Sequence, residues 1–267
     1  MTHRWAAIVV VLAPLAAGAT VAAQRGNPQG PAASPRAAAP IDLTGTWVSI
    51  VTQDWRWRMV TPPKGDYRGI PMNAAARAIA DAWDPARDEA AGEACRSYGA
   101  AAIMTVPGRL RISWQDDTTL KVETDAGVQT RLLRFGDRPA RAAPPSWQGD
   151  SAAQWQLSRA SVPLVLQPAP RPGGGELPQR PRSGSLRVVT ANMRPGYLRK
   201  NGVPYSGSAV LTEHWEIFRR ENGEQWLTVT SQLEDPQYLT GPRLLAIPFK
   251  KEPDGSKWDP TPCSARW

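Results

Sequence analysis

The chain has 267 residues, of which 41% are hydrophobic, and a formal net charge of +8 that is carried mostly by scattered arginines. No block of five or six basic residues occurs, which argues against the clustered basic stripe of a nucleic-acid-binding protein. We therefore expect a basic surface that faces solvent, and no nucleic-acid partner.

The first 23 residues have the pattern of an export signal. Arg4 gives a positive start, residues 6–19 form a short, interrupted apolar run, and Val21-Ala22-Ala23 precedes a cleavage site before Gln24. A membrane anchor would need about 20 uninterrupted apolar residues. We therefore predict a cleaved signal peptide, a periplasmic or secreted protein, and no stable membrane span in the mature chain.

Residues 24–40 are rich in Pro, Ala and Gly and carry too few large apolar side chains to bury a core. We predict that they form a disordered leader. Residues 41–267 then form a single domain of a size that is normal for all-β proteins.

The periodicity of this domain predicts mostly strands. A strand at 46–51 is followed by one helix at 74–83, for which Asn73 is the N-cap and Asp84-Pro85 is the stop. Further strands are predicted at 101–106, 109–114, 118–124, 128–135, 154–158, 185–192, 210–219, 226–233 and 244–249. Turn residues separate several of them, as at Glu221-Asn222-Gly223. About ten strands at this spacing are typical of a sandwich or barrel.

Two long segments, residues 136–150 and 167–184, are rich in Pro and Gly or Ala and show no strand or helix pattern. Loops of this length are lids, binding loops or disordered segments. We expect Trp147 to hold the first of them against the domain. One functional hypothesis is an envelope interaction module that uses both loops as its contact surface.

The chain contains two cysteines, Cys95 and Cys263. The predicted compartment permits disulfides, and the two lack the CxxC spacing of redox-active thiols. We therefore expect a disulfide between them that holds residues 258–267 against the segment after the predicted helix.

The sequence offers little for metal or nucleophilic chemistry. His3 would leave with the signal, and the remaining histidine, His214, cannot supply the imidazole cluster of a zinc, copper or non-haem iron site. GxSxG, SxxK and Gly-rich phosphate-loop motifs are lacking. We predict no metal and no cofactor.

Two charged residues alternate with apolar ones on predicted strands. On the strand predicted at 210–219, Glu213 shares a face with Leu211 and Trp215. On the strand predicted at 128–135, Arg131 shares a face with Leu133. A buried charge must be paired or neutralised. If these faces point inward, Arg131 and Glu213 would bind each other or a polar ligand. Because both strands also carry apolar residues on their other faces, the opposite orientation is an open alternative.

Residues 234–242 place an acidic pair at a strand end, close to Tyr238. Such a loop suits a general acid or base, so Asp235 is a catalytic candidate with Tyr238 or His214 as its partner. Alternatively, its Asp-Pro and Gly-Pro steps simply mark two turns.

The chain has twelve tryptophans but three phenylalanines. We assign five of the tryptophans to strands: Trp47, Trp55, Trp57, Trp215 and Trp226. Indoles of this kind either line a cavity for an apolar or aromatic molecule or fill the core of a β-domain.

The segment Asp42-Leu43-Thr44-Gly45-Thr46-Trp47 resembles the Gly-x-Trp signature that begins the first strand of lipocalins and related calycin barrels. In that family the tryptophan closes the barrel floor and an arginine from a late strand packs over it. The resemblance assigns these roles to Trp47 and Arg243. The mature chain is also similar to exported, largely uncharacterised bacterial lipocalin-like proteins, which implies a secreted β-barrel but no particular activity.

We therefore predict an all-β, antiparallel meander barrel of about 8–10 strands, with one short helical insert, in a monomeric protein. The leading hypothesis is a binding protein for a small apolar or aromatic molecule, contacted by Trp55, Trp57 and Trp215 and oriented by Arg131 and Glu213. The alternative is a cofactor-free isomerase, hydratase or lyase that uses Glu213 or Asp235 for proton transfer.

Overall fold

A computed structural model describes residues 33–136, 144–157 and 183–266. The predicted signal peptide, residues 24–32 of the predicted leader, residues 137–143 of the first long loop and residues 167–182 of the second lie outside these residues.

The described part of the chain contains eleven strands: β1 (Gly45–Ser49), β2 (Arg109–Trp114), β3 (Thr119–Thr124), β4 (Gln129–Phe135), β5 (Asp150–Leu157), β6 (Gly184–Ala191), β7 (Gly196–Tyr197), β8 (Pro204–Tyr205), β9 (Val210–Arg219), β10 (Gln225–Glu234) and β11 (Arg243–Lys251). Nine of them close into a barrel in the order β1-β11-β10-β9-β6-β5-β4-β3-β2, and β7 pairs with β8 separately. The predicted all-β barrel is confirmed.

The barrel departs from a simple antiparallel meander at one pair. Strands β4 and β5 run parallel, with Leu133 opposite Ser151 and Phe135 opposite Ala153. A parallel pair needs a long crossover connection, and the segment between these strands is long enough to provide it. A short hairpin would have made β5 antiparallel to β4. The long loop predicted at residues 136–150 instead lets β5 run parallel to β4.

Side chains alternate between the barrel interior and its surface, as the pleat of a strand requires. The interior is filled by large apolar side chains that are almost fully buried, among them Trp47, Ile112, Leu120, Leu133, Leu186, Trp215 and Phe249. Trp226 lies on the outer surface of β10, stacked on Phe218 with 6.1 Å between ring centroids.

The segment between β1 and β2 contains four short α-helices and a 3-10 turn: α1 (Trp55–Arg58), α2 (Ala74–Asp81), α3 (Pro85–Ala90), the 3-10 turn Ala94–Tyr98 and α4 (Ala100–Ile103). The predicted helix is confirmed in α2, where the Asn73 side chain accepts a hydrogen bond of 2.9 Å from the Ala76 N–H. None of the helices in the described ranges is long and apolar enough to cross a membrane.

Two strand assignments in this insert are wrong. Residues 101–106 are not a strand, because α4 occupies the start of this range and is buried at every position. A continuous apolar run has no periodicity that separates a buried strand from a buried helix. Trp55 and Trp57 lie on α1 rather than on a strand, after Asp54 with a left-handed φ of 52°.

One end of the barrel, where β1 begins, is closed by residues that were predicted to be disordered. The Trp155 indole N–H donates to the Pro35 carbonyl at 2.8 Å, and Ile41 and Leu43 pack against the barrel core. The prediction of disorder is therefore wrong for residues 33–40. Their contacts with the barrel are made largely by backbone groups, which amino-acid composition does not reveal.

The opposite end of the barrel is covered by the helical insert. Residues of the insert, of the β7–β8 region and of the loop after β10 form a second buried apolar cluster that includes Tyr67, Ala80, Leu198, Tyr205 and Leu239. Trp147 lies at this end: its carbonyl accepts from the Ala100 N–H at 2.9 Å, and the Arg194 guanidinium is 4.1 Å from its ring centroid. Trp147 thus holds the described end of the first long loop, as expected.

The expected disulfide between Cys95 and Cys263 is present and joins the 3-10 turn to the C-terminal tail across 168 residues. The tail is also held by the Thr261 backbone, which exchanges hydrogen bonds with Asp125 and Gly127.

The resemblance to lipocalins predicts that Arg243 packs over Trp47, and this prediction is wrong. Trp47 is fully buried, and its indole N–H donates to the Leu43 carbonyl at 2.9 Å. The cation near its ring is Lys251, whose Nζ lies 5.3 Å from the ring centroid. Arg243 begins the strand that Lys251 ends, and eight residues of extended chain separate them by about 26 Å.

We expect Cys95→Ser and Cys263→Ser to lower the melting temperature equally, and the double variant to lose no more than either single variant. Loss of the loop constraint should cost about 5 kcal/mol of unfolding free energy by the loop-closure argument. Differential scanning calorimetry without reductant measures the effect. Additive losses would show that the two thiols stabilise the protein separately.

Candidate functional site

A buried ion pair lies inside the barrel. Arg131 on β4 and Glu213 on β9 both point inward, and each side chain is 1% exposed. Arg131 Nη2 donates to Glu213 Oε2 at 2.7 Å and Nη1 donates to Oε1 at 3.2 Å. The interpretation that these two charges face one interior and bind each other is confirmed, whereas a role in ligand binding stays a prediction.

Two hydroxyl groups extend this pair into a network, which we call the interior polar network: Arg131, Glu213, Thr190 and Ser151. Arg131 Nη2 also donates to Thr190 Oγ1 at 3.2 Å, and the Thr190 and Ser151 hydroxyl oxygens are 2.8 Å apart. These residues come from β4, β9, β6 and β5, which are neighbours across the barrel wall in the order β9-β6-β5-β4.

Two buried N–H donors at this network have no acceptor among the described residues. They are Arg131 Nε and the indole Nε1 of Trp215, which follows Glu213 on the same inward face of β9. A buried donor without an acceptor costs about 1–3 kcal/mol. The buried polar atoms at this network that have no hydrogen-bond partner are therefore both donors.

The tryptophans predicted to bind one ligand do not come together. Trp215 lies in the barrel core, but Trp55 on α1 is 64% exposed. Trp57 lies outside the barrel core, donates to Asp66 Oδ2 at 3.1 Å, and stacks under Arg199 at 4.5 Å. The predicted cavity lined by all three indoles is therefore wrong, since two of them belong to the helical insert.

The candidate catalytic residues do not form an acid–base site either. Asp235 is buried and accepts hydrogen bonds from the Ser206 N–H at 2.6 Å, the Ser206 hydroxyl at 2.7 Å and the Gln237 N–H at 3.0 Å. This carboxylate ties a turn to β8, which confirms the turn interpretation. His214 points away from the Glu213 face and contacts Gln156 at 3.2 Å, while Tyr238 is half-buried in the Asp235 turn.

A second group of charges was missed by sequence reasoning. Four basic side chains are buried near the end of the barrel that the insert covers: Arg58, Arg199, Lys200 and Arg243. We call them the buried basic cluster. Arg58 and Arg199 line one small cavity together with Lys200, and Arg199 also acts electrostatically on Arg243.

Each of the two arginines at the cavity has its own anchor. Arg58 donates from Nε to the Thr105 carbonyl at 2.9 Å and from Nη2 to Ser49 Oγ at 2.7 Å. Arg199 donates from Nη1 to the Arg68 carbonyl at 2.8 Å. Burial lowers the pKa of both guanidinium groups, which nevertheless stay charged because the ordinary arginine pKa is so high.

Lys200 contacts Tyr98 in the same cavity. Its Nζ donates to the Tyr98 hydroxyl at 2.6 Å and lies 4.5 Å from the ring centroid. Burial lowers the pKa of Lys200 to about 7 and raises the pKa of Tyr98. The cavity has a volume of about 20 Å³, which is enough for roughly one water molecule.

Arg243 is the basic residue with the fewest interactions in the cluster. It is 7% exposed, and its guanidinium forms no hydrogen bond or ion pair with the described residues. Its nitrogens are not among the fully buried polar atoms that lack a partner, so they reach solvent. Burial, the positive charge of Arg199 and, in the opposite direction, Asp54 set its pKa at about 10. In the sequence, Arg243 follows a Gly-Pro turn, and Arg199-Lys200-Asn201-Gly202 has the composition of a surface turn. Neither pattern signals burial.

No protein-family model, no curated protein and no solved structure matches this chain. The assignment of a function therefore rests on the geometry described above.

We expect Arg131→Met and Glu213→Leu to lower the unfolding free energy by about 3–5 kcal/mol each, because each leaves an uncompensated buried charge. The double variant should recover most of this loss. Urea denaturation of the four proteins measures the coupling.

The control is Arg134→Met, which replaces an exposed arginine on the outer face of β4. It should change the unfolding free energy by less than about 0.5 kcal/mol. Equal losses that simply add in the Arg131→Met/Glu213→Leu protein would contradict the pairing.

The lowered pKa of Lys200 predicts a pH dependence. Between pH 7 and 9 the unfolded chain, with a lysine pKa near 10.5, binds a proton that the folded protein has released, so stability rises with pH. Lys200→Met should remove a slope of up to about 1.4 kcal/mol per pH unit in this window. Urea denaturation at pH 6, 7, 8 and 9 tests this, with the exposed Lys257→Met as the control. An unchanged slope in Lys200→Met would show that Lys200 stays protonated.

Proposed function

We propose that this protein is an exported binding protein that holds a small, mostly apolar molecule inside its barrel, where the interior polar network orients the ligand. The observation that supports the proposal is the pair of buried, unpartnered donors, Arg131 Nε and Trp215 Nε1. A closed barrel with polar groups at chosen interior positions is a common architecture for ligand binding.

The chemistry of the network restricts the ligand. Each Glu213 carboxylate oxygen accepts from a terminal nitrogen of Arg131, and the buried atoms without any partner, Arg131 Nε and Trp215 Nε1, are donors. A ligand that satisfies them presents an acceptor oxygen, such as a carbonyl, ether or hydroxyl oxygen. The Trp215 ring beside these donors favours an apolar or aromatic body next to that oxygen.

The ligand reaches the network when one end of the barrel opens. Arg131, Glu213 and Trp215 are each at most 1% exposed, and inward side chains fill the barrel around them. Residues 33–44 close the end where β1 begins, and the helical insert covers the other end.

Export and a relationship to lipocalin-like barrels are parts of the same proposal. The Cys95–Cys263 disulfide supports an oxidising compartment. The buried Trp47, with the Lys251 cation near its ring, supports the relationship, because Lys251 takes the place expected for an arginine.

The geometry favours binding over the alternative of a cofactor-free enzyme. Glu213 is held by Arg131, and Asp235 is held by three hydrogen bonds within a turn. A general base must accept a proton from its substrate, and both carboxylates are already held by hydrogen bonds from other protein groups. The interaction-module hypothesis concerns loop segments that lie outside the described residues.

Native mass spectrometry of the protein purified from the periplasm tests the proposal, with masses compared before and after denaturation. We expect a stoichiometric small-molecule adduct on the unmodified protein. Trp215→Phe keeps an aromatic ring but removes the Nε1 donor, so it should retain at least fivefold less adduct. Trp226→Phe, on the outer surface, is the matched control and should retain the full amount.

Two results would contradict the proposal. One is an adduct that Trp215→Phe retains as fully as the control does. The other is a protein without adduct whose melting temperature is also unchanged by a panel of small aromatic ketones, phenols and ethers.

A further inference from the structure

We propose that the surface around α1 docks on an anionic phospholipid bilayer, with Trp55, Met59 and Val60 entering the interface between headgroups and acyl chains. We call these three residues the apolar patch. The inference goes beyond the proposed function. It uses none of the four residues of the interior polar network, and it stands whether or not the barrel interior binds a ligand.

The first argument is the concentration of exposed apolar side chains in one short segment. Trp55 is 64% exposed, Val60 is 57% exposed and Met59 is 53% exposed. The other large apolar side chains that are exposed in the described ranges lie far from one another in the sequence. Single exposed apolar residues are normal on a protein surface, whereas a group of them marks an interaction site. Residues 55–60 are such a group.

The second argument is that the apolar patch is one continuous surface. Trp55 and Met59 are four positions apart, and the Met59 N–H donates to the Trp55 carbonyl at 2.8 Å, so the two side chains lie on one face of the turn. Trp55 and Val60 line a single open groove of about 450 Å³. Pro62 and Pro63 line the same groove, which extends the apolar surface beyond α1.

The other side of α1 is fixed to the rest of the protein. The Trp57 indole N–H donates to Asp66 Oδ2 at 3.1 Å. The buried Arg58 donates from Nε to the Thr105 carbonyl at 2.9 Å and from Nη2 to Ser49 Oγ at 2.7 Å. The turn cannot rotate the apolar patch inward without breaking these hydrogen bonds. Its exposure is therefore built into the insert.

The charges around the apolar patch favour an anionic partner. The side chains of Arg56 and Arg68 are 52% and 67% exposed, and Lys64 is also exposed. Asp66, which pairs with Arg68 at 2.9 Å and with Arg56 at 3.8 Å, has a side chain that is only 10% exposed. Asp54, which precedes α1, is half-buried. The charge that faces solvent here is therefore mostly basic, and basic side chains are attracted to anionic headgroups.

A bilayer fits this combination better than a protein partner does. A helix that docks in a protein groove uses anchors spread over at least two turns, and α1 is a single turn. A bilayer interface needs no matching pocket, and tryptophan is enriched at that depth. Long arginine and lysine side chains beside the apolar residues reach the headgroup phosphates while their stems cover apolar surface.

The test is vesicle flotation of the protein purified from the periplasm. The vesicles consist of phosphatidylcholine alone, or of phosphatidylcholine and phosphatidylglycerol in equal parts. We expect the protein to float with the mixed vesicles and at least fivefold less of it to float with phosphatidylcholine alone. Added sodium chloride should weaken the binding, because it screens the attraction between basic side chains and headgroups.

Trp55→Ser/Met59→Ser is the decisive variant. Both side chains are exposed, so the variant should fold with an unchanged melting temperature. Its apparent Kd for the mixed vesicles should rise about tenfold or more, because the largest apolar groups no longer enter the interface. Leu244→Ser is the matched control, since Leu244 is 64% exposed on β11, and it should bind the vesicles normally.

A second pair of variants tests the basic residues. Arg56→Gln/Lys64→Gln should bind the mixed vesicles at least threefold more weakly than the original protein. Arg134→Gln/Lys257→Gln removes the same charge from exposed positions elsewhere and should bind normally. Equal losses in the two variants would show that net charge alone drives the attraction, which would contradict docking through α1.

Three further results would overturn the proposal. The first is a protein that does not float with the mixed vesicles. The second is a Trp55→Ser/Met59→Ser protein that floats as well as Leu244→Ser, as it would if another part of the chain made the contact. The third is a dimer in sedimentation velocity that Trp55→Ser/Met59→Ser dissociates, since the apolar patch would then bind a second copy of the chain. Trp215→Phe should float normally, because Trp215 lies inside the barrel.

Discussion

The dry interior of a closed barrel is the constraint on which the rest of this structure depends. Each inward position on the nine barrel strands of the described chain must hold an apolar side chain or a polar one whose partner is also inside. Arg131 and Glu213 meet this requirement by binding each other across β5 and β6. Because the pair links strands that are not neighbours, it also fixes how the two sides of the barrel face one another. The polar interior is therefore part of the architecture as well as a candidate site.

The same physical rule has a different outcome at the covered end of the barrel. There, four basic side chains from separate segments of chain are buried, and the acids that act electrostatically on the three arginines are Asp54 and Asp66. A protein keeps such an arrangement at a cost in stability, and uncompensated charge of this kind is concentrated at functional sites. The interior pair joins two buried charges of opposite sign, whereas the buried basic cluster gathers charges of one sign.

The barrel strands could be predicted because each has a one-sided periodicity. Strands β2 and β9 match their predicted ranges, and the alternation on β9 placed Glu213 on the correct face. The insert could not be predicted in the same way, since α4 is apolar at every position and α1 is a single turn. The Arg131–Glu213 pair was accessible from sequence because both charges interrupt apolar patterns. The buried basic cluster was not accessible, because its members lie in a turn, at a helix end and at the start of a strand, where tertiary contacts decide burial.

Barrel closure has a consequence for the timing of folding. The first strand pairs with the last, Trp47 opposite Lys251, and the disulfide joins residues that are 168 positions apart. A chain of this topology has high contact order, so its folding is slow. Strand β1 can pair with β2 along one edge, but its other edge stays unpaired until the last strand has been synthesised. During that interval β1 presents an open edge, which is an aggregation hazard for an incomplete chain. Truncation of the final strand therefore removes one of the two partners of the first strand, and the barrel cannot close.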